Sequence, residues 1–284
     1  MSTRWLVTGA GGMLGRDLLD VLAEEDVVGL TRGELDITDA AAVAAAVTGR
    51  DVVVNAAAWT DVDAAETAEA EATRVNGRGP RVLAEACRHT GTRLVHVSTD
   101  YVFDGTASTP YDEDHPTGPT SAYGRSKLLG EQAVREVLPD TSCVVRTAWL
   151  YGEHGGNFVR TMIALESQLE TLDVVDDQRG QPTWSRDLAA QIVALVGSGA
   201  GPGIFHGTSS GETTWCGLAR AVFEELGADP VRVRATTTDR FPRPAPRPAY
   251  SVLGHAAWGR AGLDPIGDWR ESLAQAFPRL RSRA

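Results

Sequence analysis

Two groups of residues in this 284-residue chain have the types and spacing to do chemistry. Tyr123-Gly124-Arg125-Ser126-Lys127 sets a phenol and an amine four residues apart, on one face if the segment is helical. An isolated tyrosine has a pKa of about 10. A lysine cation one turn away favours the phenolate and lowers that value, so the pair becomes a proton donor or acceptor. The second group is Thr8-Gly9-Ala10-Gly11-Gly12-Met13-Leu14-Gly15, with glycines at 9, 12 and 15. In a dinucleotide loop, Gly9 permits the sharp turn, Gly12 lets a pyrophosphate approach the backbone, and Gly15 allows close helix–strand packing. The NH groups of the following helix, from Met13 and Leu14 onward, then face the phosphate. A lone Tyr-x-x-x-Lys is common on surfaces. Its place downstream of a dinucleotide loop marks this pair as a candidate for proton transfer beside a cofactor.

Positioning both groups requires alternating elements. Trp5–Thr8, Asp26–Leu30, Val52–Asn55, Leu94–Ser98 and Val144–Arg146 read as short β-branched strands. Alanine-rich helical stretches such as 67–89 and 121–138 lie between them. The alternation predicts an α/β fold, a Rossmann-type doubly wound parallel sheet, with a smaller C-terminal α+β substrate lobe. Residues 1–150 and about 170–200 are assigned to the body, with a strand at Val174-Val175 and a helix over 187–196. Residues of about 151–169 and 203–284 are assigned to the lobe, irregular from Gly203 and proline-framed over 241–248.

At the end of strand two, an NAD enzyme often places an acid for the ribose hydroxyls. Here the run is Leu30-Thr31-Arg32, and Arg32 suits a 2′-phosphate. NADPH is therefore expected, with NADH left open by Glu34, and Asp36-Ile37 falls near the adenine.

A net charge of −11 argues against nucleic acid, which needs a basic footprint. No apolar window is long enough to span a membrane, and the start from Met1 lacks a signal-peptide pattern, so a cytoplasmic location is expected. Cys87, Cys143 and Cys216 read as buried small hydrophobes, and His96 as a satisfied core residue. His206 lies near a strand end and within possible reach of the site. The acids of 61–71 read mostly as solvated helix faces, and no carboxylate–histidine spacing suggests a metal.

Seven runs, one of them holding the Tyr123–Lys127 pair, carry a resemblance. They are residues 55–63 (NAAAWTDVD), 98–103 (STDYVF), 123–128 (YGRSKL), 146–152 (RTAWLYG), 156–158 (GNF), 177–183 (DQRGQPT) and 247–251 (RPAYS). With the glycine loop they span essentially the whole chain, which resembles the extended short-chain dehydrogenase/reductases and, more narrowly, the dTDP-4-dehydrorhamnose reductase family. The resemblance implies hydride delivery from NADPH to C4 of a dTDP-linked 4-keto-6-deoxysugar, here dTDP-4-dehydro-L-rhamnose. Tyr123 would protonate the alkoxide, Lys127 would hold the cofactor ribose, and Thr99 would hydrogen-bond the carbonyl oxygen. Ala56, Ala57, Ala58 and Thr60 join the expected cofactor wall. Asp100, Tyr101, Trp149, Asn157, Gln181 and Arg247 are expected on the substrate side, Arg247 at the diphosphate. Trp184 and Trp215 read as packing residues. Related dehydratases carry Thr-Asp-Glu where this chain has Thr99-Asp100-Tyr101, so reduction without dehydration is expected. Open alternatives are a 4-ketoreductase of another dTDP-deoxysugar and a non-catalytic subunit resembling the methionine adenosyltransferase regulatory subunit. A homodimer is also open.

Overall fold

Val52-Val53-Val54 offers no polar face to water, and all three residues are buried in the interior of a parallel sheet. The computed structural model describes residues 2–281. Met1, and residues 282–284 of the expected lobe, lie outside them. The first half runs β1 (Arg4–Thr8), α1 (Met13–Val21), β2 (Asp26–Leu30), α2 (Ala40–Val47), β3 (Val52–Asn55), α3 (Val62–Ala65), α4 (Glu69–Thr73), α5 (Gly79–Thr90), β4 (Arg93–Thr99), α6 (Ala122–Val137) and β5 (Ser142–Thr147). The second half runs β6 (Leu150–Tyr151), α7 (Phe158–Glu166), β7 (Leu172–Val175), β8 (Arg179–Gly180), β9 (Thr183–Trp184), α8 (Ser185–Gly197), β10 (Gly203–His206), β11 (Thr213–Thr214), α9 (Trp215–Leu226), β12 (Val233–Thr236), α10 (Ala256–Arg260) and α11 (Trp269–Arg281).

Six strands form the main sheet in the order β10-β5-β4-β3-β1-β2, every pair parallel. The chain moves outward from β1 to β2, then crosses back to β3 on the other side of β1. That reversal opens a crevice at the carboxyl ends of β1 and β3, where open α/β sheets bind ligands. One face is covered by α1 and α8, with Leu14, Leu18, Leu188 and Ile192 in its core. The other is covered by α2, α5 and α6, with Val43, Leu83 and Val134. Each such side chain taken from water contributes about 1.5–3 kcal/mol.

Two expectations from sequence are corrected here. The strand around Val174-Val175 does not join the main sheet: β7 pairs in parallel with β12, and Val174 packs with Phe223 and Val233 in a separate core of α7, α9 and α11. A short apolar run cannot say which sheet will take it. The chain is not irregular from Gly203 either. There β10 adds the outer strand to β5, and Trp258 of α10 is buried in the main core against Phe205. Among the described residues, no helix is long and apolar enough to cross a membrane.

Candidate active site

The cradle is the turn from β1 into α1. Gly9 has φ +72°, and a Cβ there would stand 2.6 Å from the Ala57 amide nitrogen. At Gly15, a Cβ would stand 2.2 Å from the Gly9 carbonyl oxygen, so the helix packs on its own loop only without a side chain. Gly12 caps α1 without any side-chain acceptor, and no acid lies in the first turn. The opening amides are thus left for an anion. Gly9, Gly11, Gly12, Met13, Leu14 and Gly15 line a cleft of 880 Å³, within the range of small-ligand sites. Arg32, Asp36, Ile37, Ala56, Ala57, Ala58 and Thr60 line it too, as do Tyr123 and Lys127. These residues fit a dinucleotide.

At the β2 end the two candidate cofactor selectors differ. Glu34 is occupied: it accepts the Thr31 amide at 2.9 Å and the Thr31 hydroxyl at 2.7 Å. Both contacts hold its carboxyl below the usual range. Arg32 is exposed at the cleft with no partner among the described residues. Asp36 is exposed and engaged, accepting from Thr38 and pairing with Arg74 at 3.4 Å.

Helix α6 is fixed at its start. Ser121 accepts the Gly124 amide at 3.1 Å, and Glu66 accepts the Ala122 amide at 2.8 Å. Tyr123 and Lys127 follow on the inner face. The Lys127 ammonium donates to the Val97 carbonyl at 2.6 Å, and burial pulls its pKa down to about 8 against the opposing charge of Glu131. The expected lowering of the Tyr123 pKa by Lys127 is not what the geometry gives. Burial pushes the phenol above its usual value, the Thr99 hydroxyl works against that, and Asp100 adds to it. The Lys127 ammonium is turned to the Val97 carbonyl. A phenol that keeps its proton suits a donor.

Thr99 ends β4 beside Tyr123. Its hydroxyl donates to Asp100 Oδ1 at 2.9 Å and accepts the Tyr101 amide at 3.2 Å. Asp100 is only 3 % exposed, so it backs Thr99 rather than facing an open cleft. The Tyr101 ring meets the Tyr123 ring edge-on at 5.6 Å, and its hydroxyl feels the charges of Arg247 and Asp63. Arg247 donates to Asp63 Oδ2 at 2.8 Å and to the Ala245 carbonyl at 3.1 Å. Trp149 has φ 47°, a left-handed backbone held in place as its indole stacks on Trp215 at 3.6 Å. Trp215 is thus paired with a substrate-side candidate, beyond the packing role expected of it, while Trp184 is buried packing.

Two substrate candidates have their polar groups spent elsewhere. Asn157 is the N-cap of α7: its Oδ1 accepts the Arg160 amide at 3.1 Å and its Nδ2 donates to the Gly152 carbonyl at 2.8 Å. Gln181 is 2 % exposed and clips three segments together, donating to the Leu253 carbonyl and accepting from the Leu253 amide and the Thr208 hydroxyl. A capping or clipping amide has no sequence signature that separates it from a ligand-binding one. His206 is held in the core by the Gly254 carbonyl and Arg146, away from the cofactor cleft. His96 is only half satisfied, with Nδ1 on Asn55 and Nε2 unpartnered among the described residues.

Other supporting residues escaped the sequence reading. Asn76 lies in a π-helical turn over Arg74–Arg78. It bonds both the amide and carbonyl of Trp59, and the Ser126 hydroxyl, tying the cofactor wall to α6. The acids of 61–71 are largely engaged. Asp61 caps α3, Asp63 holds Arg247, Glu66 holds α6, Glu69 pairs with Arg125 at 2.8 Å, and Glu71 pairs with Arg74 at 3.1 Å. Asp17, Asp20 and His154 bring possible metal ligands within 4.8 Å of one another, a grouping that spacing alone does not reveal. Asp17 already accepts the Ser185 hydroxyl.

Comparison with known proteins covers both body and lobe. A dTDP-4-keto-6-deoxy-D-glucose reductase of Streptomyces niveus is 57 % identical, over 99 % of this chain and 99 % of that one. A dTDP-4-dehydrorhamnose reductase of Streptomyces griseus is 56 % identical, over 99 % of this chain and 95 % of that one. The solved structure of dTDP-4-dehydrorhamnose reductase from Bacillus anthracis, in complex with NADP, matches with a TM-score of 0.94 at 36 % identity, covering 98 % of this chain and 99 % of that chain. The model of the RmlD substrate binding domain family matches residues 3–282, and the chain belongs to that family.

Proposed function

We propose that this protein reduces the C4 keto group of dTDP-4-dehydro-L-rhamnose to give dTDP-L-rhamnose, with NADPH as hydride donor. The observation that carries this reading is that Tyr123 and Lys127 line the same cleft as the glycine cradle. The relative from Streptomyces griseus and the NADP complex from Bacillus anthracis support the substrate and the cofactor. NADPH bound in the cleft supplies the hydride.

The chain's own residues supply position and a proton. The α1 amides take the pyrophosphate, and Arg32 takes the 2′-phosphate. Lys127 holds the nicotinamide ribose. Thr99 hydrogen-bonds the sugar carbonyl oxygen, where charge grows as hydride arrives. Tyr123 gives that oxygen its proton, and burial keeps the phenol loaded until then. Tyr101 and Trp149 flank the sugar, and Arg247 exchanges Asp63 for the nucleotide diphosphate.

The relative from Streptomyces niveus favours a second reading, reduction of dTDP-4-keto-6-deoxy-D-glucose. Both sugars should be offered with NADPH and with NADH, following cofactor oxidation, and each product's C4 configuration assigned by NMR. Turnover of the L-sugar to the rhamnose product supports the first reading, and preference for the D-sugar supports the second. No turnover of either would defeat both and favour a binding subunit.

A further inference from the structure

The proline-framed segment of the lobe carries a second arginine that the reduction scheme leaves unused. Over residues 242–248, prolines alternate with Arg243, Ala245 and Arg247. Proline holds φ at about −65° and has no N–H, so the segment joins neither a helix nor a sheet. The chain bends at Pro244-Ala245. Three donors of this bent segment converge on one carboxylate of the body. Arg247 Nη2 stands 2.8 Å from Asp63 Oδ2, and Arg243 Nη1 stands 3.9 Å from the same oxygen. The Ala245 amide donates to Asp63 Oδ1 at 3.2 Å. Burial works to raise the Asp63 carboxyl, but the Ala245 amide, Arg247 and Arg243 together hold it below its usual value.

The segment is pinned on either side of this contact. Before it, Asp177 accepts the Thr238 amide at 2.9 Å and the Thr238 hydroxyl at 2.6 Å. After it, the Tyr250 amide donates to the Gly105 carbonyl at 3.2 Å, and the Ala249 carbonyl accepts the Arg179 amide at 2.8 Å. Between these anchors, among the described residues, every hydrogen bond and ion pair from residues 242–247 to the rest of the protein goes to Asp63. Asp63 belongs to α3, which packs on α6, the helix of Tyr123 and Lys127. Thr60, three residues before Asp63, lines the cofactor cleft.

Two guanidinium groups and an amide exceed what one carboxylate can use. Asp63 carries a single negative charge. The Arg243 side chain is 63 % exposed, and its contact at 3.9 Å is too long for a hydrogen bond, so little is lost when it changes partner. A diphosphate brings two phosphoryl groups, each able to accept from one guanidinium, and more charge to share. Resting on the reduction of a dTDP-sugar proposed above, we propose that Arg243 is a second diphosphate-binding residue. With Arg247 and the Ala245 amide it forms a grip that Asp63 occupies until the nucleotide arrives. Neither guanidinium takes part in hydride or proton transfer, and the grip acts on affinity for the nucleotide.

The test measures equilibrium affinity for dTDP and dTMP by calorimetry in wild type, Arg243→Ala, Arg243→Lys and Arg240→Ala. NADPH affinity is followed in parallel by fluorescence. Arg243→Ala should weaken dTDP binding about tenfold, as expected for one charge-assisted hydrogen bond at an exposed site. Binding of dTMP should weaken by less than about threefold, because Arg247 can serve a single phosphoryl group. Arg243→Lys should recover only part of the loss, since an ammonium lacks the planar fork. Arg240 lies in the turn just before the segment. Arg240→Ala makes the same change in net charge and should leave dTDP affinity within about twofold. Tm should not move in Arg243→Ala, because the side chain is exposed.

Unchanged dTDP affinity in Arg243→Ala would overturn the grip, as would an equal loss in Arg240→Ala or full recovery in Arg243→Lys. A loss confined to NADPH, whose own diphosphate goes to the α1 amides, would overturn it too, and so would a wild type that binds no dTDP. A wild type that binds dTDP through Arg243 but reduces no keto sugar would instead defeat the reduction reading and leave the grip standing.

Discussion

The cofactor cradle and the sugar side of this site are built in different ways. The cradle comes from the ends of β1, β2 and β3, within the first 60 residues, and its recognition groups are largely backbone amides. The proposed sugar side gathers Thr99 and Tyr101 from the end of β4, Trp149 from the β5–β6 turn and Arg247 from the lobe, and all but Thr99, which rests on its neighbour Asp100, meet a side chain distant in sequence. A site made of backbone is preformed and announces itself by glycine spacing. A site made of paired side chains must exchange partners when its ligand arrives, as Arg247 does if a diphosphate replaces Asp63.

That contrast breaks most readily at Gly9. Gly9→Ala must hold φ +72° with a Cβ 2.6 Å from the Ala57 nitrogen, so the loop has to shift. NADPH affinity should fall about 100-fold or more, the loss of roughly 3 kcal/mol of strain and phosphate contacts. Titration of cofactor fluorescence checks this, and unchanged affinity would mean that the cradle is not preformed. Next comes Arg247→Ala. It should raise KM for the dTDP-sugar by about 10- to 100-fold, the range of a charge-assisted hydrogen bond, while NADPH affinity stays constant. Asp63→Asn sharpens the point. If Asp63 competes with the diphosphate, this variant should lower KM.

The same contrast explains what the sequence revealed. All five strands expected in the first half are present, because their apolar runs and turn residues are local signals. The glycine loop and Tyr123-x-x-x-Lys127 were legible for the same reason, since each needs only its own segment to be placed. The electrostatics of Tyr123 were not legible, because they depend first on its burial in the fold and then on Thr99 and Asp100 beside it. Asp63, Glu66 and Glu69 looked like solvated acids because their partners, Arg247, the start of α6 and Arg125, lie over 50 residues away. The sheet membership of β7 and β10 was hidden because a short apolar strand carries no mark of its neighbour.

Cofactor choice tests the boundary between the two regions, since Arg32 is an exposed side chain on a backbone-built cradle. Arg32→Ala should cut the preference for NADPH over NADH by about tenfold, mostly through NADPH affinity, because an exposed charge-assisted contact contributes on the order of 1–1.5 kcal/mol. Measuring kcat/KM for both cofactors reads this directly. An unchanged ratio would shift selection to another part of the β2 turn.

The smallest effect is expected at Asn157, and its smallness is informative. Both ends of its amide are engaged by the backbone of its own loop and helix. If it is a cap and nothing more, Asn157→Ala should cost roughly 1 kcal/mol of stability and lower Tm by about 2–4 °C. KM for the sugar should stay within about twofold. Asn157→Asp keeps the oxygen that accepts the Arg160 amide, so it should recover most of the lost Tm. A tenfold rise in KM at unchanged Tm would instead place the amide on the sugar. The turn from Gly152 to Asn157 would then have to rearrange on binding, because Nδ2 cannot serve the Gly152 carbonyl and a sugar hydroxyl along the same N–H direction.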